Sequence, residues 1–506
     1  MDRLTLLREV SFGSQVAEEE IQNLASYFVQ TDQWNRMVKG DVDMVRGEKG
    51  VGKSAIYLLL GANASMLFDR GVLVVNAENP RGATVFKDLI ADPPTSEQEF
   101  VVLWKIYILV LICYELRALG VTKGHVSSVY IALEEAKLLE PTLNLSGLLR
   151  SAQIFARQLL NQRRLEAGVE FDPNSGAATG FIARITLAEP SSDLRDRGFN
   201  SIDGLFEKVN EALSLEGYTI WVLLDRLDVA FTENHALEAN ALRALIRVYS
   251  DLRALDCISL KIFLREDIWK RITEGGMREA SHLIRVEVVN WTSATLLNLL
   301  MRRLLSNRAL VETFGIDPED VLADSAKQDA LFDRFFPEQV EQGPQKAKTF
   351  KWMLTRCADG TGKTAPRELI HLLNSIRAEE VRRLERGGKA PPEDQLFDRS
   401  VFKAALPIVS DTRLRTYMYA EFPAEKPYVE RLEGRKAEQT PESLSDLWGM
   451  GGGATVAKAR DLVALGFFEE RGTRHEPTFW VPFLYRDALH LVQGRAETEE
   501  DGDASA

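Results

Sequence analysis

Cysteine and histidine are scarce in this chain. Its 506 residues include only three cysteines, Cys113, Cys257 and Cys357, and six histidines. The cysteines are widely spaced among apolar or helix-forming residues, and the histidines are scattered along the chain. This spacing favours neither a disulfide framework nor a zinc site built from cysteine, and it argues against a histidine-rich metal centre. The composition fits a protein of a reducing cytoplasm.

Long apolar runs and an excess of positive charge are also lacking. The most apolar stretch, residues 100–116, is interrupted by Lys105 and falls short of the ~20 residues that a bilayer-spanning helix needs, so no membrane partner is expected. Residues 1–14 lack the apolar core of a signal peptide, and we expect a cytoplasmic location. The formal net charge of −13 is unfavourable for general nucleic-acid binding, so any DNA contact must be local.

A glycine-rich loop is the strongest feature that is present. Residues Gly47–Ser54 read GEKGVGKS, with a short apolar strand before them and a helix after them. This is the pattern G-x-x-x-x-G-K-[ST], whose backbone N–H groups surround nucleotide phosphates. The predicted phosphate-binding residues are Gly47, Glu48, Lys49, Gly50, Val51, Gly52, Lys53, Ser54 and Ala55.

The loop pattern assigns separate roles to two of its side chains. The ammonium group of Lys53 is predicted to contact the β and γ phosphates of ATP. The hydroxyl group of Ser54 is predicted to bind Mg²⁺, a hard cation that prefers oxygen ligands and is usually shared with substrate phosphates.

A later apolar segment ends in carboxylates. Residues 218–228 read YTIWVLLDRLD, a strand that would place Asp225 at the carboxyl edge of a parallel sheet, beside the phosphates. Asp225 is therefore the predicted carboxylate on the Mg²⁺ side. Asp228, three residues later, is a candidate for positioning or polarising the attacking water. The alternative, in which these acids have no catalytic role, is a strand end followed by a solvent-exposed turn.

Two arginines are candidate sensors of the γ phosphate. Arg265 follows a strand at residues 259–264, although a salt bridge to Glu266 or Asp267 is a serious alternative. Residues 360–364 read GTGKT and look like a second phosphate loop. We interpret this segment as a decoy, because no strand precedes it and Pro366 follows it, and it brings Arg367 to the start of a helix.

The pattern as a whole predicts an α/β fold of the P-loop NTPase class, with a parallel sheet, flanking helices and about three domains. The C-terminal part shows a helix followed by a β-hairpin, with equal numbers of basic and acidic residues, and Arg471, Arg474 and His475 at the hairpin tip. The expected domains are a P-loop ATPase core at 1–290 with a mostly helical insertion at about 96–200, a helical lid at 291–390, a winged-helix domain at 396–495, and a disordered acidic tail at 496–506.

With these motifs in place, the chain resembles bacterial P-loop ATPases between the AAA+ origin-recognition type and the STAND class of signalling NTPases. The resemblance spans most of the chain, through GEKGVGKS, LLDRLD, IFLRED and TAPREL to the C-terminal winged helix. It implies that Lys53 and Ser54 bind ATP and Mg²⁺, that Asp225 and more loosely Asp228 are the Walker B acids, and that Arg265 and Arg367 are the first and second sensors. Arg226 follows Asp225 where AAA+ enzymes usually carry a second acid, which favours slow hydrolysis.

The resemblance also implies partners. Proteins of this kind couple ATP binding to assembly, and many in bacteria act in defence against phages or other foreign DNA. The leading hypothesis is thus an ATP-driven switch that self-assembles or acts through a separate effector protein. DNA is the partner in the alternative hypothesis, which is an ATPase that loads or remodels nucleic acid through its winged helix. Arg271, Arg278 and Arg285 are weak candidates for an arginine that reaches a neighbouring subunit.

Overall fold

The computed structural model describes residues 2–79, 84–87, 89, 93–165, 184–227, 234–274, 276–277, 283–392 and 394–496. Asp228, Arg278 and residues 497–506 of the predicted tail lie outside this set. The chain forms two compact units. The sheet unit comprises Asp32–Glu48 and Lys53–Val289, and the terminal unit comprises Met1–Thr31, Lys49–Gly52 and Asn290–Ala506. The division falls between Val289 and Asn290 and groups residues 1–31 and 49–52 with the C-terminal part. The domains expected from the sequence stay a prediction.

Parallel strands form the centre of the sheet unit. Its strands are β1 (Met44–Gly47), β2 (Val72–Asn76), β3 (Ile185–Thr186), β4 (Asn200–Ser201), β5 (Thr219–Leu224), β6 (Ile258–Arg265) and β7 (Val286–Val288). The main sheet has the order β2-β5-β6-β1-β7, and all of its pairs are parallel. Its inner strands are almost continuously apolar because a parallel sheet is covered on both faces.

Helices cover this sheet, as the sequence predicts. The helices of the sheet unit are Asp32–Val38, Lys53–Ala62, Ala64–Phe68, Glu97–Ala118, His125–Glu135, Leu145–Leu165, Ser192–Asp196, Ile202–Glu216, His235–Leu252 and Glu266–Glu274. The longest of them, Glu97–Ala118, is capped by Ser96, whose side chain accepts from the Glu99 N–H. It is apolar on nearly all sides and buried in the main core of the unit, so residues 100–116 form a core helix as expected. No helix in the described ranges is apolar over a length that would span a bilayer.

The terminal unit is mostly helical. Its α-helices are Arg3–Glu9, Leu24–Tyr27, Ser293–Leu305, Arg308–Phe314, Pro318–Leu322, Ser325–Phe335, Thr349–Cys357, Pro366–Glu385, Arg399–Arg413, Lys426–Glu430, Pro441–Trp448, Gly452–Ala464 and Phe483–Arg486, with a π-helical turn at Leu414–Tyr419. Residues 18–31 carry apolar side chains at the spacing of an amphipathic helix, which predicts one continuous helix. They form instead a 3₁₀ turn, Ala17–Glu19, and the short helix Leu24–Tyr27. The buried Glu20 lies at this break, where its carboxylate pairs with Arg303 at 2.7 Å.

The C-terminal part of this unit carries a second sheet. Strands β8 (Lys436–Gln439), β9 (Glu469–Gly472), β10 (Pro477–Trp480) and β11 (Val492–Arg495) have the order β11-β8-β10-β9. The predicted hairpin is present as the antiparallel pair β9 and β10, directly after the predicted helix. The winged-helix assignment itself remains a proposal. β8 was not predicted, since KAEQ carries no apolar alternation.

An ion pair is buried beneath the main sheet. The Lys261 ammonium group, on β6, donates to the Asp43 carboxylate at 2.8 Å and to the Val42 carbonyl at 2.6 Å. Lys261 is fully buried, and burial lowers its pKa against the attraction of Asp43. Tyr249 and Arg285 also contact the carboxylate of Asp43. Loss of the carboxylate would therefore leave a buried cation without its counter-charge.

We expect Asp43→Ala to destabilise the sheet unit by about 3–5 kcal/mol, because removing one partner of a buried pair costs far more than removing an exposed one. For a unit of this size the melting midpoint would fall by roughly 6–20 °C in a thermal scan followed by circular dichroism. The matched control is Glu134→Ala, which removes a more exposed ion pair with Arg117 and should change stability by less than about 1 kcal/mol. Equal shifts in the two variants would contradict the interpretation.

Candidate nucleotide-binding site

Strand order brings the loop and two charged segments, at the ends of β5 and β6, to one edge of the sheet. β1 lies between β6 and β7, so the loop that follows β1 emerges from the interior of the sheet at its carboxyl edge. Gly47 at the end of β1 is in register with Arg265 at the end of β6. On the other side of β6, β5 ends at Leu224, immediately before Asp225. Ligands of open parallel sheets bind at this edge.

The loop has the backbone conformation that the glycines were expected to allow. Gly50 and Gly52 have φ angles of 87° and 99°, which side-chain-bearing residues rarely adopt. The helix begins at Lys53, two residues earlier than expected. The Lys53 ammonium group donates to the carbonyl oxygens of Gly47 at 2.8 Å and Glu48 at 2.9 Å. These contacts hold the lysine over the start of its own loop.

Two predicted Mg²⁺ ligands are in direct contact. The Ser54 hydroxyl group donates to Oδ2 of Asp225 at 2.9 Å, although the residues are 171 positions apart in sequence. Asp225 is buried, so its carboxylate is held in a fixed position at the end of β5. A hydroxyl group and a carboxylate are the hard oxygen donors that Mg²⁺ prefers, and the ion normally takes its remaining ligands from phosphates and water. In the described part of the chain no cluster of three or more acidic, histidine or cysteine residues forms a metal site of its own.

The residue after Asp225 has an unusual backbone. Arg226 adopts a φ angle of 57°, and its guanidinium donates to the Asn79 carbonyl at 3.2 Å. Strain of this kind in a non-glycine residue is often found at functional sites. Its left-handed conformation turns the chain sharply directly after the predicted Mg²⁺ carboxylate, Asp225.

Glu78 is an acidic residue at this edge that was not predicted. Asn76 at the end of β2 pairs with Leu223, and the Ala77 N–H donates to the Leu223 carbonyl, so two further residues bring Glu78 level with Asp225. Burial raises the pKa of the Glu78 carboxyl group. Its oxygens accept from the hydroxyl group of Thr84 at 2.7 Å and from the N–H of Val85. The available signal was an acid shortly after a buried strand, the same signal that identified Asp225.

The candidate sensor Arg265 is engaged in the ion pair named as its alternative. Its guanidinium binds Asp267 through two hydrogen bonds of 3.1 and 2.8 Å. A sensor role would require this pair to open, and it remains a prediction. Of the weak candidates for a trans-acting arginine, Arg271 pairs with Glu238, and Arg285 lies 3.2 Å from Asp43. Both arginines therefore pair with buried carboxylates of the sheet unit.

The other candidate sensor, Arg367, lies against the loop tip within the terminal unit. A Cβ atom placed on Gly50 would lie only 3.1 Å from Cβ of Arg367. Arg367 stands in the first turn of Pro366–Glu385, as expected. The preceding GTGKT segment follows the helix Thr349–Cys357 rather than a strand, and the helix after it starts only at Pro366. It therefore lacks the strand, loop and helix order of a phosphate-binding loop.

The remaining candidates are two aromatic residues and the arginines of the hairpin formed by β9 and β10. The sequence offers Phe28 or Trp34 for stacking on adenine, with core packing as the alternative. Trp34 is buried in the sheet unit, which supports core packing, whereas Phe28 is half-buried. At the hairpin, Arg471 binds Glu469 at 2.7 Å and stacks on Trp480 with its guanidinium carbon 3.9 Å from the ring centre. Arg471 is thus held by its own hairpin, while Arg474 at the tip is exposed.

Comparisons with known proteins give distant likenesses. No protein-family model and no curated protein matches the chain. Similar solved structures include the ORC2 protein of Aeropyrum pernix in ADPNP and ADP complexes, at 13% identity and a TM-score of 0.30, covering 89% of this chain and 86% of that one. The Aeropyrum pernix ORC1 protein in complex with DNA is 13% identical with a TM-score of 0.32, and the match covers 90% of this chain and 92% of that one. A Walker-type ATPase of Pyrococcus abyssi is 10% identical with a TM-score of 0.38, and the match covers 91% of this chain and 95% of that one. At these values none of the three decides what this chain does.

We predict that Ser54→Ala and Asp225→Asn weaken ATP binding in the presence of Mg²⁺ by roughly tenfold or more, the value of one hydrogen bond to a charged group. Without Mg²⁺ the Ser54→Ala variant should bind nucleotide nearly as well as the wild type, because only a metal ligand is lost. Titration of each variant with a fluorescent ATP analogue, once with Mg²⁺ and once with a chelator, measures the affinity in the two conditions. Ser250→Ala removes a hydroxyl group bound to the Ile246 carbonyl and serves as control. Equal losses with and without Mg²⁺ would rule out the metal role.

Proposed function

We propose that this chain binds ATP together with Mg²⁺, hydrolyses it slowly, and uses the nucleotide state as a molecular switch. The observation that carries the proposal is the contact between Ser54 of the loop and Asp225 at the end of β5. A glycine-rich loop by itself is a sequence pattern. Its contact with a buried carboxylate from a distant strand supplies the oxygen pair that a Mg²⁺ and nucleotide complex needs.

In this proposal the chain contributes phosphate binding and charge. The loop N–H groups and the Lys53 ammonium group hold the phosphates, and Ser54 and Asp225 hold Mg²⁺, which supplies charge compensation when bound. Arg265 and Arg367 report phosphate occupancy. Asp228 positions the attacking water. Slow turnover is proposed because Arg226 occupies the position after Asp225, so that no second acid follows directly.

The output of the switch is proposed to be self-assembly or the activation of a separate effector protein. The setting of bacterial anti-phage defence rests on the sequence resemblance alone. DNA loading through the hairpin is less favoured, because Arg471 is paired with Glu469 and the domain has no excess of positive charge. A cytoplasmic location belongs to the same proposal.

We expect Lys53→Ala to abolish ATP binding and phosphate release. The chain offers a matched control, Lys363→Ala, which changes the exposed lysine of the GTGKT segment and should leave both activities unchanged. Release of phosphate, measured with Mg²⁺ and excess ATP, tests the hydrolysis, and isothermal titration tests the binding. Unchanged activity in Lys53→Ala, or equal losses in the two variants, would overturn the site assignment.

We further expect ATP to increase the assembled mass of the wild type, and Lys53→Ala to remain unchanged. Mass photometry with ADP, ATP and a non-hydrolysable analogue, each with and without duplex DNA, measures this directly. An increase in particle mass with ATP alone supports an assembly switch, whereas an increase that requires DNA supports the loading alternative. A constant mass in every condition would contradict self-assembly and leave the separate effector as the proposed output.

A further inference from the structure

The tip of the phosphate loop is anchored inside the terminal unit by three separate elements. The Trp291 indole N–H donates to the Val51 carbonyl at 2.8 Å. Arg367 packs against Gly50. The Lys49 ammonium group forms an ion pair with Glu421, just after the π-helical turn. Lys49 and Glu421 are both about three-quarters buried, with exposed fractions of 26% and 25%, so water only partly screens their attraction.

The ion pair belongs to a longer chain of contacts. The Lys49 ammonium group lies 5.6 Å from the ring centre of Tyr417, and the guanidinium carbon of Arg413 lies 3.7 Å from the same centre. Arg413 is buried and binds Glu368 at 2.7 Å. Glu368 directly follows Arg367, which contacts Gly50. The contacts therefore leave the loop at Lys49 and return to it at Gly50, one residue later.

The segment at the centre of this circuit has an unusual backbone. Residues Leu414–Tyr419 form a π-helix between the helix Arg399–Arg413 and Glu421. π-Helical turns are rare, and they occur often at functional sites. A small change in the side chains that hold such a turn can move the residues that follow it. Here those residues lead into the second sheet through the helix Lys426–Glu430.

We infer that Lys49 and Glu421 form a latch that links nucleotide binding to the π-helical turn and the C-terminal part of the terminal unit. The inference rests on the proposed function, because it requires nucleotide phosphates at the loop. Lys49 stands within the phosphate-binding segment, so the phosphates and the Glu421 carboxylate compete for one ammonium group. Glu421 also places a negative charge beside the loop tip, which opposes the entry of further negative charge.

Linkage gives this competition a direction. If nucleotide weakens the contact between Lys49 and Glu421, then loss of that contact must strengthen nucleotide binding by the same factor. Glu421 is thus a positioning residue that lowers the affinity for nucleotide and transmits the presence of nucleotide to the π-helical turn. A purely structural role predicts the opposite, since a loosened loop would bind nucleotide less well.

The test compares Glu421→Gln with Glu425→Gln in the full chain. Glu425 forms a similar partly buried ion pair with Lys458, whose ammonium group also lies near an aromatic ring, but the pair does not touch the loop. We expect Glu421→Gln to bind ATP about threefold to tenfold more tightly by isothermal titration. Glu421→Asp should stay near the wild type, Lys49→Ala should bind more weakly, and Glu425→Gln should be unchanged.

Hydrogen exchange of residues 414–430 supplies the second readout. ATP should increase exchange in this segment of the wild type and have little effect in Glu421→Gln, whose latch is already open. Unchanged or weaker ATP binding by a folded Glu421→Gln, or the same ATP-dependent exchange as in the wild type, overturns the latch and leaves the proposed function intact. Failure of the wild type to bind any nucleotide overturns the proposed function, and the latch falls with it.

Discussion

The site depends on the parallel pairing of β1 between β6 and β7. This pairing makes the loop after β1 emerge from the interior of the sheet, where the carboxyl ends of neighbouring strands lie beside it. Parallel order then gives Ser54 and Asp225 their contact, although a long helical segment separates them in sequence. The buried pair of Lys261 and Asp43 joins the middle of β6 to the residue just before β1.

The elements that sequence predicts well are those whose pattern is local. β5 and β6 were recognised as apolar runs that end in charge, because a strand covered on both faces has no polar alternation. The loop was recognised because its glycines and Lys53 act through the backbone at fixed spacing. In contrast, the helical spacing of apolar residues over 18–31 does not give one helix, because Glu20 pairs with Arg303, 283 residues away. No local pattern contains that distant partner.

The same limit applies to the site. Asp225 was predicted from the end of its own strand, but the position of Glu78 beside it follows only from the register of β2 with β5. Arg265 was predicted as a sensor from its place at a strand end, and sequence could not decide between that role and its pair with Asp267. Lys49 appeared in sequence only as a variable position of the loop, because its partner Glu421 lies in a segment without any recognisable signal.

Charge balance connects these observations within the proposed switch. In the proposed function a nucleotide that carries several negative charges binds at the phosphate loop, so the charges already beside the loop tip change its affinity. Lys53 donates to carbonyl oxygens of its own loop, at the position that the loop pattern assigns to the phosphate-binding lysine. Lys49 is paired with the carboxylate of Glu421, so its release toward a phosphate opens an ion pair. In the proposed function Lys53 binds the nucleotide phosphates, and Lys49, whose partner Glu421 belongs to the terminal unit, reports that nucleotide has bound.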